Sequence, residues 1–197
     1  MAEPGFGKKR KPMKFNAIII MGAILVVLAA IFFISRDVPE SESRETSRQF
    51  IWSFGMQDLT HIEINLPPEG KREAWVKHED RSWYFDRANG PKVNNKRWGG
   101  GIPLLLSGPG AQRLIDKAAT DEQLRIYGFM DPKMTISLLL QNGDVINVEV
   151  GDKTLDAQAY YIRRADSRAV YTVDHTWYDV LEHLVMAPPY PEAESRR

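Results

Sequence analysis

The stretch MTISLLLQNGDVINVEV, residues 134–150, decides the fold class of this chain. Apolar and β-branched residues fill the run before Asn142-Gly143, and apolar residues alternate with polar ones in the run after it. An Asn-Gly pair between two such runs is a strong β-hairpin signal, because both residues readily adopt the positive φ angles of a tight turn. The sequence therefore predicts two antiparallel strands, Met134–Leu140 and Val145–Val150.

A second strand pair and a helix are predicted downstream of this hairpin. Ala159–Arg164 and Ala169–Val173 have the strand pattern and are separated by a turn around Asp166. Asp174 can cap a final amphipathic helix, which packs its apolar stripe toward the core and is ended by two prolines. The stripe and the prolines are Trp177, Leu181, Leu184, Val185, Pro188 and Pro189.

The first half of the chain predicts a three-stranded meander. Residues 61–66 alternate between apolar and polar side chains, which indicates a half-buried strand. Two further strands, Glu73–His78 and Ser82–Asp86, follow a turn rich in proline and glycine. A strand at Ala111–Lys117 and a helical turn at Thr120–Tyr127, capped by its threonine, connect this meander to the hairpin.

The N-terminal region contains one long apolar segment. Residues 17–34 read AIIIMGAILVVLAAIFFI, 18 residues without a charge or a strong hydrogen-bonding side chain. Extended to 15–35, the segment is about 30 Å long as a helix, the thickness of a hydrocarbon core. A buried core helix would have a polar face, and a cleaved signal peptide would have a shorter apolar run that ends in small residues. The segment therefore predicts an uncleaved transmembrane helix.

The charges around this segment predict its orientation. Five cationic residues precede it, Lys8, Lys9, Arg10, Lys11 and Lys14, whereas Arg36 alone follows closely. The positive-inside rule then places a basic tail, residues 1–14, in the cytoplasm and the rest of the chain outside the cytoplasmic membrane. After the helix we expect a polar linker at 36–49, an extracytoplasmic domain at 50–189 and a disordered tail at 190–197.

Composition excludes several classes of function. The whole chain has 26 basic and 26 acidic residues. Six of the basic residues and one acid lie up to Arg36, which leaves 20 and 25 after it, a net charge of −5. Such a domain lacks the basic surface of a nucleic-acid-binding protein. The chain has no cysteine, which excludes disulfides, Cys-ligated metals and thiol catalysis.

The predicted fold class is α+β, with one N-terminal transmembrane helix and a mainly antiparallel β domain that carries one or two packed helices. The two halves of the domain are similar, since each is a run of strands followed by a helical segment with a tryptophan near its start, Trp98 or Trp177. A two-fold internal repeat is one interpretation of this likeness.

The segment VNNKRWGGGIPLLLSGPG, residues 93–110, interrupts the regular pattern, although Asn94 or Asn95 could cap a helix at its start. Each glycine at 99–101 costs a helix interior about 1 kcal/mol, and Pro103 lacks the amide that would bond back to Gly99. A short or broken helix is therefore predicted, either as an irregular core element or as a partly protruding docking site for a membrane partner or lipid. The candidate residues of that site are Trp98, Ile102, Leu104, Leu105 and Leu106.

Histidines and carboxylates form no strong catalytic or metal-binding pattern. His61 and Glu63 lie two apart on the polar face of one strand, where two solvated residues are a better interpretation than a metal pair. His175 and His183 are about 12 Å apart along a helix, too far to share a metal. Asp179, four residues before His183, fits a surface pair rather than an acid–base dyad.

The glycine motifs and Ser107 are equally unspecific. The glycines at 99–101 and 108–110 are not followed by the Lys-Ser/Thr of a phosphate-binding loop. Ser107 does not lie in a nucleophile elbow, since its neighbours read Leu105-Leu106-Ser107-Gly108-Pro109. We therefore predict a protein that is not an enzyme and that holds no cofactor or metal.

A set of short motifs, mostly turns and aromatic strands, resembles an uncharacterised bacterial family, domain of unknown function 4340. The motifs are Trp83, Tyr127-Gly128-Phe129, Asp131-Pro132, Gly143, Val150-Gly151, Tyr160-Tyr161-Ile162-Arg163 and Val170-Tyr171-Thr172-Val173. The resemblance covers about Ile51 to Val185 and implies a membrane-anchored, extracytoplasmic, β-rich domain. Some members are encoded beside auxiliary components of gliding-motility-type ABC transporters. The resemblance brings no catalytic residues.

These motif residues also suit an architectural role. Gly128 and Gly151 are expected where positive φ angles are favoured, and Tyr161 and Tyr171 could form a cross-strand aromatic pair. The family usually has a smooth helix after the tryptophan strand, and the glycines at 99–101 depart from that pattern.

The combined prediction is a non-enzymatic, single-pass accessory or scaffold subunit that presents an extracytoplasmic protein-interaction domain. Its expected partners are the lipid bilayer and other membrane proteins of a complex, of the transporter type or another. The alternative is an extracytoplasmic binding module for a polysaccharide or peptide. In that case Trp75, Trp83 and Tyr160 are the candidate ligand-facing aromatics.

Overall fold

The computed structural model of the chain describes residues 25–26, 49–99 and 101–191. The chain divides into two compact units, Met1–Ser47 and Arg48–Arg197. In the first unit only Leu25 and Val26 are described, and both are helical. The predicted basic tail, transmembrane helix and nearly all of the linker therefore lie outside the described residues. Among the described residues, no helix has the length and apolar character needed to cross a membrane.

An eight-stranded antiparallel sheet forms the second unit, which confirms the α+β class. The strands are β1 (Leu59–Leu66), β2 (Lys71–Lys77), β3 (Trp83–Phe85), β4 (Arg113–Asp116), β5 (Met134–Leu140), β6 (Val145–Lys153), β7 (Ala159–Arg164) and β8 (Val170–Asp174). Their order across the sheet is β3-β2-β1-β5-β6-β7-β8-β4. The two predicted hairpins and the meander are all present, and the internal repeat stays a prediction.

Four α-helices accompany the described sheet, more than the one or two that were predicted. Only the last is long, with 12 residues, and it is the predicted amphipathic helix. The helices are α1 (Asn95–Trp98), α2 (Ile102–Ser107), α3 (Asp121–Ile126) and α4 (His175–Met186).

The helices begin where capping residues satisfy their first amides. Asn94 caps α1 by accepting bonds from the next turn, and Asp174 caps α4 in the same way. Thr120 and Gln123 form a reciprocal capping box on α3. All three caps confirm the sequence predictions, because capping depends on a few neighbouring residues only.

The main hydrophobic core lies against one face of the sheet, the inner face. Alternation along β1 buries Ile62, Ile64 and Leu66 completely, as predicted. Trp75 and Ile136, which pair in register with Ile62 and Ile64, extend this layer across neighbouring strands. The inner face also receives the apolar side of α4, whose residues belong to the same buried cluster as those of the sheet.

A smaller cluster lies on the opposite, outer face of the sheet. Leu124 of α3 and Phe129 pack there against Val170 of β8, and Ile115 of β4 lies beside them. This cluster lies over the end of the sheet formed by β7, β8 and β4, and the adjoining residues Tyr127 and Gly128 contact Gly151 and Asp152 at the end of β6.

The predicted cross-strand pair of Tyr161 and Tyr171 is wrong. Tyr161 lies opposite Thr172, and Tyr171 lies opposite Ile162, so the two tyrosines project from opposite faces of the sheet. Tyr161 instead packs against Tyr127, with ring centroids 4.7 Å apart. A one-residue difference in register is enough to separate such a pair.

The predicted boundary of the disordered tail at residue 190 is also too early. Tyr190 stacks on Phe85, and the carbonyl of Pro189 accepts a bond of 2.8 Å from the amide of Asn94. The end of the described chain is therefore bound to β3 and to the start of α1. Residues 192–197 lie outside the described part.

Candidate interaction surface

The predicted docking segment, residues 98–106, forms part of the core. Trp98, Ile102 and Leu106 are at most 5% exposed, and Leu105 is half-buried. Leu104 alone projects into solvent, with 63% of its surface exposed. The docking-site interpretation of this segment is therefore wrong, and the alternative of an irregular core element holds.

The broken helix in this segment follows from its glycines and proline, as predicted. Gly99 ends α1 in the left-handed conformation at φ 60°, which a residue with a side chain adopts at a cost. Pro103 lies in the first turn of α2, where no amide is needed for a helical bond. The break lets Trp98 and Leu106 both reach the core from short helices.

The three candidate ligand-facing aromatics are core residues as well. Trp75, Trp83 and Tyr160 are between 0% and 9% exposed. Trp98 lies 5.2 Å from Trp75 and 5.7 Å from Trp83 between ring centroids, and Tyr160 stacks on Tyr178 at 4.0 Å. None of them lines a described cavity, so the expected aromatic cleft is wrong.

The two residues of the candidate metal pair on β1, His61 and Glu63, each contact a different partner. His61 Nε2 lies 2.8 Å from Asp86 Oδ2, and Glu63 accepts a bond of 2.6 Å from Arg72. The bond to Glu63 raises the pKa of the Arg72 guanidinium. In residues 49–99 and 101–191 no three side chains of the metal-ligating types come together.

The remaining candidate chemical groups also have structural partners. His175 Nδ1 lies 3.2 Å from the carbonyl oxygen of Gln158, and the Ser107 hydroxyl donates to the carbonyl of Leu104. Among the ion pairs of the described residues there is none between Asp179 and His183. In the described part of the chain, the hydroxyl of Ser107 is bonded to a backbone carbonyl and not to a histidine or a carboxylate.

The most extensive accessible feature is the outer face of the four strands β2, β1, β5 and β6, which we term the open face. The second hydrophobic cluster, which includes residues of α3, β4 and β8, lies beyond it. Period-two alternation turns mostly polar side chains outward from these strands. They are Arg72, Ala74, Val76, His61, Glu63, Asn65, Thr135, Ser137, Leu139, Val145, Asn147 and Glu149.

Charges on the open face are paired within the domain. The Arg72–Glu63 pair lies at one end, and Nη2 of Arg163 in β7 lies 2.6 Å from Oε2 of Glu149 as an ion pair. Arg163 also lies over the ring of Phe129 at 5.3 Å, which fixes the guanidinium. Leu139 and Val145, directly opposite each other in the β5–β6 hairpin, add an exposed apolar strip of 37% and 52% exposure. The open face is thus a surface of mixed polarity, and it contains a concave part of about 350 Å³ lined by Glu63, Ser137 and Asn147 among others.

The largest described cavity, about 870 Å³, lies on the other side of the same hairpin. It is open to solvent and is lined by Phe54, Leu140 and Ile146 with Asp58, Asp144 and Arg164 at its rim. Arg164 is bound to Asp166 and holds the pKa of that carboxyl below its usual value. No pair of groups in this lining has the geometry of an acid and a base.

Residues 107–183 match the family described as "Domain of unknown function (DUF4340)". The segment is DUF4340-like. The expected resemblance is confirmed over these residues, whereas the predicted span began already at Ile51. The DUF4340-like segment starts at the last residue of α2, includes β4 to β8, and ends within α4. Comparison with curated proteins and with solved structures gave no match.

Two glycines of the DUF4340-like segment show why its motifs are structural. Gly128 has φ 83°, as predicted, and a Cβ there would meet the backbone nitrogen of Asp152 at 2.6 Å. Gly151 is not among the residues with positive φ, so that prediction is wrong. Glycine is required at position 151 because a Cβ there would lie 2.0 Å from the carbonyl oxygen of Tyr127.

Sequence reasoning missed the open face and the His61–Asp86 pair for different reasons. The alternation of β1 and of Val145–Val150 did predict strands with one solvated face, so the open face could have been found by placing those strands in one sheet. Asp86 follows β3, two strands away from His61 in the sheet, and only the full strand order brings it near.

Proposed function

We propose that the chain is a non-enzymatic, single-pass accessory subunit of a membrane complex, which presents its α+β domain outside the cytoplasmic membrane to a protein partner. The observation that supports this role most is the open face. A broad surface of mixed polarity on a sheet suits contact with another protein, because interfaces between separable proteins resemble the ordinary surface in composition. Its concave part is lined mainly by polar side chains, whereas sites for small molecules are mainly apolar.

The membrane anchor in this proposal depends on residues 15–35. Their length and uniform apolar character suit a helix in lipid, and the five preceding cations support a cytoplasmic N-terminus. The placement in a transporter-type complex comes from the resemblance to the DUF4340 family alone. The alternative of a polysaccharide-binding module loses its support, since the tryptophans that would stack on sugars are in the core.

Purification of the full chain in mild detergent tests the proposal. We expect a stoichiometric membrane partner, and we expect Ser137→Lys combined with Asn147→Lys on the open face to remove it. Val180→Lys, on the exposed side of α4, is the matched control and should keep the partner. A monodisperse monomer of the wild-type chain, measured by light scattering, would contradict the interaction role.

A further inference from the structure

The cavity of about 870 Å³ continues the main core outward on the inner face of the sheet. Its apolar wall is formed by Phe54, Leu140 and Ile146, next to the turn of the β5–β6 hairpin. Leu140 belongs to the main hydrophobic cluster, and Phe54 and Ile146 are half-buried residues that pack against it. A cavity of this size, with an apolar wall and a few polar groups around it, has the features of a binding site.

Hydrogen bonds hold the rim of this cavity in place. The amide of Gln141 donates to the carbonyl of Asp58 at 2.7 Å, which joins the hairpin to the segment before β1. Within the turn, the Asn142 side chain donates to the Asp144 carboxylate at 2.7 Å and accepts from the Asp144 amide at 3.0 Å. A ligand therefore meets a preformed rim, which lowers the entropy that is lost on binding.

The rim carries a net negative charge. The cation of the lining, Arg164, donates through Nε to the Asp166 carboxylate at 3.0 Å, so its charge is neutralised within the domain. Asp58 and Asp144 form no ion pair with a cation in the described part of the chain. A ligand that combines positive charge with apolar groups would complement both the rim and the wall.

The described chain leads away from this cavity toward the edges of the sheet. The amide of Phe54 donates to the carbonyl of Ser107, and the Gln49 carbonyl accepts a bond of 2.7 Å from the amide of Ala111. Gln49 therefore lies beside the entry to β4, three strand positions from β6 in the sheet. At the other end of the described residues, Tyr190 is bound at β3, the opposite edge.

We propose that this cavity binds a basic, apolar segment of a partner protein. The apolar side chains of the segment pack against Phe54 and Ile146, and a lysine or arginine pairs with each of Asp58 and Asp144. The cavity opens to solvent, so the rest of the partner can continue outside it. Burial of apolar area provides affinity, and the two carboxylates select basic residues. The inference rests on the proposed interaction role and assigns to it a second contact, separate from the open face.

The probe is the peptide Ser-Lys-Leu-Phe-Arg-Ser-amide with a neutral fluorophore on its N-terminus, added to the full chain in nonionic detergent at low ionic strength. Detergent alone is the blank. We expect saturable binding by fluorescence anisotropy. A peptide with glutamate at both basic positions, and one with serine at both apolar positions, should bind at least about tenfold more weakly. Absence of saturation up to about 1 mM peptide, or equal binding of either control peptide, would overturn the proposal.

Substitutions at the rim change its charge in both directions. Asp58→Asn and Asp144→Asn each remove one carboxylate and should lower the affinity about threefold. Gln141→Glu adds a carboxylate to the same rim and should raise the affinity about threefold, a gain that misfolding does not produce. Unchanged affinity of this variant would count against the proposal.

Asp131→Asn is the matched control for the rim. Asp131 is an exposed acid outside the lining of the cavity, and it forms no ion pair within the described residues. Its substitution should leave the affinity unchanged. A loss equal to that of Asp58→Asn would mean that the peptide is attracted by the overall acidity of the domain, and the proposal would fall.

Ile146→Thr tests the apolar wall. Threonine keeps the β-branched shape that suits β6 but replaces the ethyl group by a hydroxyl, and it should lower the affinity about threefold. Val180→Thr, at an exposed β-branched residue of α4, should change nothing. Equal affinities of these two variants would show that the wall does not contact the peptide. A thermal unfolding midpoint within a few degrees of wild type excludes misfolding of each variant.

Two other occupants of the cavity give different outcomes, and both would overturn the proposal. If a second copy fills it, the wild-type chain is a dimer by light scattering, and Asp58→Asn combined with Asp144→Asn weakens the dimer. If residues 1–47 fill it, the peptide binds only after they are removed. Failure of peptide binding would leave the partner of the open face in place. Failure of the proposed function would instead give a monodisperse chain without a partner, so the two failures are distinguishable.

Discussion

The ring of Tyr190 stacks on the ring of Phe85, with centroids 4.3 Å and planes 15° apart. The guanidinium of Arg87 lies 4.9 Å from one ring and 5.2 Å from the other. The Tyr190 hydroxyl lies 3.2 Å from Glu73 of β2. The C-terminal end of the described domain is therefore bound to β2 and β3, more than 100 positions earlier in the chain.

Removing the Tyr190 ring should destabilise the domain. Tyr190→Ala loses the stack, the cation–π contact and the half-buried ring area, and we expect a loss of about 2 kcal/mol in the free energy of unfolding. Tyr190→Phe keeps the stack and should cost less than about 1 kcal/mol. Urea denaturation followed by tryptophan fluorescence measures both. Equal values for the two variants would mean that the ring contributes nothing.

Trp98 and Leu104 should respond oppositely to truncation. Trp98→Ala opens a cavity among Trp75 and Trp83, and we expect it to cost about 3–5 kcal/mol. Leu104→Ala removes an exposed side chain and should change stability by less than about 0.5 kcal/mol. Urea denaturation measures the stability of both variants. A mild Trp98→Ala variant would revive the docking interpretation of residues 98–106.

The Asp174 cap should make the stability of α4 depend on pH. Bonds from the Thr176 hydroxyl and amide lower the pKa of the Asp174 carboxyl below its ordinary value of 3.8. A lowered folded-state pKa adds stability that is complete above the unfolded value and is lost as the pH falls through the folded value. Asp174→Ala should therefore cost about 1 kcal/mol at pH 7, and the difference from wild type should shrink below pH 3.8.

Asp174→Asn is the control for this titration. The amide oxygen of asparagine also caps helices, so the variant should keep most of the stability at pH 7. Asparagine does not titrate. The difference in the free energy of unfolding between wild type and Asp174→Asn, followed against pH, therefore isolates Asp174 from the other carboxylates. A difference between Asp174→Ala and wild type that does not change between pH 7 and pH 3 would refute the account of the cap.

Gly128 and Gly143 should differ in their tolerance of alanine. Both have positive φ, 83° and 90°, but a Cβ at Gly128 would meet Asp152, and one at Gly143 meets open space. We expect Gly128→Ala to cost at least about 2 kcal/mol and Gly143→Ala about 1 kcal/mol in the free energy of unfolding. The reverse order would show that close packing at Gly128 is unimportant.

The parts of the fold that the sequence predicted are those set by neighbours along the chain. The alternation of β1, the Asn142-Gly143 turn and the caps at Asn94, Thr120 and Asp174 each depend on a few adjacent residues. Such local signals predict whether a segment is a helix, a strand or a turn, but they do not predict which other segments it packs against. The α+β class followed from them because the pattern changes from period two to a helical stripe.

Contacts between distant elements could not be read in the same way. The position of β4 beside β8 depends on the whole strand order. Tyr161 and Tyr171 failed to pair because the register of β7 against β8 sets the face of each side chain. The role of the apolar segment at 98–106 could not be decided from the sequence for a further reason. A core element and a docking site are both rich in large apolar residues.

Labelling of single cysteines in bacterial spheroplasts tests the central claim, a membrane-anchored domain outside the cytoplasm, most directly. The natural chain has no cysteine, so Glu79→Cys in the exposed turn after β2 and Glu3→Cys near the N-terminus are unique reporters. An impermeant maleimide should label Glu79→Cys in intact spheroplasts and should label Glu3→Cys only after lysis, with both proteins in the membrane fraction. Labelling of Glu3→Cys alone in intact spheroplasts, or recovery of the chain in the aqueous fraction without detergent, would contradict the account.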